Sequence, residues 1–170
     1  MTLPTPHLGP LGIGLAVAVA FDLWRRRIPN AVSAFVFFSG LLIRAIDQSF
    51  GQALLGASAA ALVVAALYRP WLMGGIGGGD VKLAAATAAW VPFARLPWFA
   101  LSAAAAGGLF AVIYYLRARA PARAEIRANL TLTVLQNELP SVPSHRAGHL
   151  SVPYSLAIAS GAAIVFLFVQ

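Results

Sequence analysis

The sequence predicts an all-α, polytopic membrane protein with about six transmembrane helices and both termini outside. Two observations carry that expectation. Of 170 residues, 60% are hydrophobic and only 10% charged, whereas a soluble domain carries roughly 25% charge. A soluble core cannot absorb that much apolar side chain without exposing large patches. The apolar residues also gather into runs near the roughly 17–25 residues that a helix needs to cross the hydrocarbon, with the basic residues between them.

The first run covers about residues 8–23. No basic stretch precedes it and its arginines follow it, so it reads as a retained span and not as a secretory signal. The second and third runs cover about residues 31–46 and 52–68. The fourth starts at Asp80, fades near Pro92 and is rich in alanine. It is the shortest, and a full crossing is expected of it because of its neighbours. The fifth and sixth cover about residues 96–116 and 151–169.

Alternate connections differ in charge. One side receives Arg25, Arg26, Arg27, Arg69, Lys82, Arg117, Arg119, Arg123, Arg127 and Arg146, and the other only Arg44 and Arg95. Basic residues favour the cytoplasmic side, which places the basic face on the cytoplasmic side of the membrane. Without the fourth span, the basic 117–150 loop would fall on the side opposite Arg25–Arg27. Residues 1–170 read as one membrane-embedded domain, with 117–150 as a cytoplasmic basic loop. A short interfacial helix fits residues 125–139 loosely, and a flexible loop fits them nearly as well.

The net charge of +7 does not point to nucleic acid, because few polar side chains could read a base edge. There are no cysteines, which removes disulfides, thiolate zinc sites and a cysteine nucleophile. His7, His145 and His149 form no cluster with nearby acids. No metal or other cofactor is expected.

Only five residues are acidic: Asp22, Asp47, Asp80, Glu125 and Glu138. Asp47, Glu125 and Glu138 fall in polar connections. Asp22 lies inside the apolar run 16–24, where a charge costs at least ~2.5–3.5 kcal/mol on insertion scales. Such a residue either faces a polar cavity or pairs locally, here with Arg25 or Arg26 one turn away. Asp80 follows five glycines in the six positions 74–79. It could serve simply as a helix N-cap, with the glycines as a linker. Yet glycine also permits close backbone approach, and open backbone near a membrane surface is tolerated where it lines a cavity.

The span count puts Asp22 and Asp80 on the same face at the same depth. Two carboxylates in a desolvated site titrate as a unit, one protonated and one charged. The charged member can take a proton from water while the other polarises a carbonyl, the logic of aspartic proteases. No serine has an obvious histidine partner, so a serine mechanism is poorly supported.

Three segments carry a resemblance. They are Gly77-Gly78-Gly79-Asp80-Val81-Lys82-Leu83; Asp22 followed by Ile28-Pro29-Asn30; and Val152-Pro153-Tyr154-Ser155-Leu156-Ala157-Ile158-Ala159. In their order along the chain they resemble the type IV prepilin peptidases, GxGD-type membrane aspartic endopeptidases, whose setting is the bacterial cytoplasmic (inner) membrane. The small residue usual after the tyrosine is here Ser155.

The resemblance implies that Asp22 and Asp80 are the catalytic pair and that a short basic leader is cleaved from a pilin precursor at the cytoplasmic face. Gly77 and Gly79 would keep the loop mobile and close to substrate. Lys82 would tune the pair or contact a lipid head group. Longer members carry a cysteine-containing insert tied to N-methylation. Nothing between Arg27 and Ala31 has room for one, so the chain looks like the short, peptidase-only branch serving Flp (tight-adherence) pili. Its implied partners are a Flp-type pilin or pseudopilin precursor and membrane lipids. Archaeal preflagellin peptidases share the plan. Two readings from other classes stay open: a small proton-coupled transporter or channel, and a non-catalytic pilus or secretion assembly factor.

Overall fold

The computed structural model of the protein describes residues 8–73, 75–117 and 154–168. Among these there are six α-helices and no strand. They are α1 (Gly9–Arg25), α2 (Asn30–Asp47), α3 (Phe50–Leu72), α4 (Gly78–Ala88), α5 (Leu96–Arg117) and α6 (Tyr154–Phe168), with a 3₁₀ turn at Phe93–Arg95 before α5. Each predicted apolar run holds one helix, and the chain is an all-α polytopic membrane protein. Apart from Arg117, the predicted 117–150 loop with its interfacial helix lies outside the described residues.

Helix ends follow local chemistry. Ser49 caps α3 by accepting from the Gln52 N–H (3.2 Å), so one of the orphan donors of the first turn is satisfied. Residue 26 stops α1. Arg26 takes a left-handed conformation (φ 52°) and donates its N–H to the Asp22 carbonyl (3.0 Å). Pro29, with no N–H of its own, is the N-cap residue of α2 and cannot extend a helix backwards.

Asn30–Asp47, Phe50–Leu72 and Phe93–Arg117 are long and apolar enough to cross a membrane. Their outward surfaces carry Phe38, Leu42, Leu54, Leu62, Leu101 and Leu109, all exposed. In lipid such surfaces carry no hydrophobic penalty. α1 and α6 are shorter, at 17 and 15 residues.

α4 corrects the expectation of a full helical crossing. It has 11 residues, about 16 Å of helix, against a hydrocarbon thickness of about 30 Å. Val81, Leu83 and Ala84–Ala88 are all buried, with α2, α3 and α6 packed around them. From Leu83 onward α4 is buried at every position and is freed from the length rule, which applies to backbone facing lipid.

The chain continues beyond α4 as irregular backbone through the buried Trp90 and Val91. Two glycines seat it. A Cβ on Gly40 would lie 2.6 Å from the Trp90 indole nitrogen, and one on Gly56 would lie 2.7 Å from the Ala89 carbonyl oxygen. The gap at Gly40 lets the indole N–H donate to the Val36 carbonyl of α2 (2.7 Å).

Arg44 completes this arrangement and departs from its expected place in an outer connection. It lies within α2 and is 2% exposed. Its guanidinium donates to the carbonyls of Trp90 and Val91 (both 3.3 Å) and of Gln52 (3.0 Å), and to the Gln52 side chain (3.1 Å). Non-helical carbonyls that would otherwise be orphaned in an apolar interior are thereby satisfied.

The described helices fall mostly in one compact unit formed by residues 1–107 and 153–170; residues 108–152 form a second, described through the end of α5. Within the first unit, α6 packs against α1 and α4. A Cβ on Gly161 of α6 would meet Ala103 of α5 at 2.8 Å, a close helix approach of the kind small residues allow.

Candidate active site

Asp22 occupies the last turn of α1 and is only 8% exposed. Its burial requires a partner. One is Ser155, itself fully buried in the first turn of α6, whose hydroxyl donates to Asp22 Oδ2 (2.5 Å). Of the two local partners, Arg25 and Arg26, the first is turned elsewhere. The Arg25 guanidinium lies over the rings of Trp24 (5.0 Å) and Phe21 (5.9 Å), a cation–π arrangement.

Asp80 is half-buried in the first turn of α4. It is not the N-cap residue. Gly77 holds that position, and Asp80, three residues on, accepts from the Gly77 backbone N–H. This reciprocal reach of an N3 carboxylate to the cap is half of a capping box. It fixes the carboxylate to its own backbone and explains the first glycine of the motif. A Cβ on Gly77 would lie 2.8 Å from Asp80 Oδ2.

Gly77 itself has φ −68° and ψ 141°, open to any residue, so space and not conformational freedom selects glycine there. Gly78 and Gly79 are already helical. The expected open glycine stretch therefore ends at Gly77, because the next two residues form the turn that carries Asp80. Gly79 lies beside Ile28 with room for ordinary contact. A Cβ there would be 3.4 Å from Ile28 Cβ.

The two acids line one cavity of about 320 Å³, together with Arg26, Arg27, Ile28, Asn30 and Gly77–Gly79. They are close enough for their charges to interact. A neighbouring hollow lined by Phe21, Arg25, Arg27, Ile28, Pro29 and Asn30 shares three of these residues. The turn between α1 and α2 thus forms a wall common to both. Lys82, two residues beyond Asp80, donates to Asn30 Oδ1 (3.0 Å) and ties the start of α2 to α4.

A family model described as the type IV leader peptidase family matches residues 11–112, which include both acids and the turns that carry them. The chain belongs to the type IV leader peptidase family. Two curated relatives, each named prepilin leader peptidase/N-methyltransferase, come from Aeromonas salmonicida and its strain A449. Each is 35% identical over 123 residues, 66% of this chain and 42% of the relative. The chain therefore spans less than half the length of those relatives. No solved structure matches it.

For a leader peptidase family member, the placement of the expected residues is informative. Asp22, Asp80, Gly77 and Gly79 come together around one cavity. Lys82 is engaged by Asn30 and not by either acid. Two residues of the site went without an assigned role in the sequence, Asn30 and Ser155. Asn30 had a signal, a polar side chain opening an apolar span. Ser155 had a fainter one, a hydroxyl where the resemblance leads one to expect a small residue.

Proposed function

We propose that the protein is an aspartic endopeptidase that removes the leader from type IV prepilins at the cytoplasmic face of the inner membrane, with Asp22 and Asp80 as the catalytic pair. The observation that carries this reading is the single cavity lined by both carboxylates. Two acids so placed share charge, one ionised and one protonated. The ionised member takes a proton from the attacking water as its oxygen bonds to the scissile carbonyl carbon. The protonated member gives its proton to the carbonyl oxygen, so that the carbon becomes a neutral tetrahedral gem-diol. In its collapse the acid that took the water proton protonates the departing amine, the other takes a proton back from a gem-diol hydroxyl, and the pair is restored.

The substrate reading extends to Flp-type pilin or pseudopilin precursors, cleaved without N-methylation. It is supported by the direct passage from α1 to α2, joined by residues 26–29 alone, and by the absence of cysteine. Membrane lipids surround the protein, and no nucleic acid takes part. The basic residues Arg25, Arg26 and Arg27 beside the pair support a cytoplasmic location for the site.

Co-expression with a pilin precursor tests the reading. Asp22→Asn and Asp80→Asn each lower cleavage about 10²- to 10⁴-fold, the range expected for loss of a general acid or base, while the protein still inserts in the membrane. Normal leader removal by both variants would defeat it.

A further inference from the structure

Ser155 stands apart from the other described serines that bond to carbonyls. Ser39, Ser58 and Ser102 each return a hydroxyl to a carbonyl of their own helix, at Phe35, Leu55 and Trp98, and Ser102 also reaches the Gly161 carbonyl of α6 at a longer 3.3 Å. Such a return is the usual way a serine is accommodated in an apolar helix. Ser155 instead donates across helices to Asp22, 133 residues away in sequence, at 2.5 Å. The serine is fully buried and Asp22 nearly so. A short hydrogen bond in such a setting restricts the acceptor strongly, because water cannot substitute for it.

We propose that Ser155 is a positioning residue for Asp22: its hydroxyl holds Oδ2 and thereby sets the carboxylate plane, leaving Oδ1 as the oxygen that works on the substrate water. The inference rests on the peptidase reading of the aspartate pair. Asp22 needs such a brace more than Asp80 does. Asp80 is anchored to its own backbone by the Gly77 N–H. Asp22 lies at the far end of α1, where the orphan groups of its own helix are carbonyls and not N–H donors. α6 supplies a donor to it from its first turn. Ser155 therefore also links the position of α6 to the geometry of the pair. Because an attacking group must be held within a fraction of an ångström to react, a carboxylate free to rotate loses rate and not binding.

The test uses the full chain purified in detergent, with Ser155→Ala and Ser155→Cys, the second replacing the hydroxyl by a weaker donor of larger volume. In cleavage of a pilin precursor, both lower kcat about tenfold to hundredfold and leave KM within about twofold. A role in packing alone would not divide kcat from KM in this way.

A second readout needs no activity. Ser155→Ala lowers the melting temperature of the wild-type chain, but leaves it unchanged or raises it in an Asp22→Ala background, where the hydroxyl has already lost its acceptor. Wild-type kcat in either folded variant, or equal melting losses in both backgrounds, would overturn the proposal. If the wild-type chain cleaves no precursor, the peptidase reading fails, and the melting cycle still decides whether Ser155 braces Asp22.

Discussion

Gly77 shows how a motif position is set by a neighbour's side chain. Its backbone angles suit any residue, yet a single methyl there would press on Asp80 Oδ2. Gly77→Ala is therefore expected to keep the fold, since alanine at a cap costs only about 1 kcal/mol, and to displace the carboxylate. Cleavage of a precursor should fall about a hundredfold with little change in melting temperature; full activity in the alanine variant would show that the carboxylate tolerates the intrusion. Asp22 was legible in the sequence because an acid in an apolar run stands out energetically, and Asp80 because five glycines precede it. Ser155 and Asn30 were not, because serine and asparagine are cheap at many helical positions. Only the facing element reveals whether their polar atoms are used.

At the scale of elements, α4 is the piece whose form depends on its surroundings. Its alanines permit a tight seat between α2 and α3, and the glycines at 40 and 56 admit the irregular backbone that follows it. Arg44 stabilises that backbone by satisfying its carbonyls. In Arg44→Met the carbonyls of Trp90 and Val91 lose their donor. The expected cost is about 1–3 kcal/mol for each buried acceptor left unsatisfied, read as a lower melting temperature in detergent. An unchanged melting temperature would mean that another donor replaces the guanidinium. From sequence, Arg44 looked like a charge marking an outer connection. A basic residue near a span end reads the same whether its head reaches water or turns inward, so the count of charges could not separate the two.

For the whole molecule, the arrangement makes a statement about sides. The turn at residues 26–29 and the glycine segment before α4 meet at one cavity, whereas Arg44 binds the opposite end of the α4 segment, about 21 Å along α2 from Asn30. The chain has no cysteine, so single cysteines can report these sides without background. Arg27→Cys and Met73→Cys should react with an impermeant maleimide in inverted membrane vesicles, and Phe93→Cys in right-side-out vesicles. Labelling of all three from one side would refute the proposed orientation. By itself the sequence determined the six apolar helices and the two acids brought to one end, since hydrophobic run length and the parity of crossings are properties of the chain order. Tertiary structure alone decided that the fourth helix is short, that Arg44 faces inward and that Ser155 holds Asp22. Each of these depends on which groups meet across helices, and burial by a neighbour, unlike burial by lipid, leaves no periodic mark on the sequence.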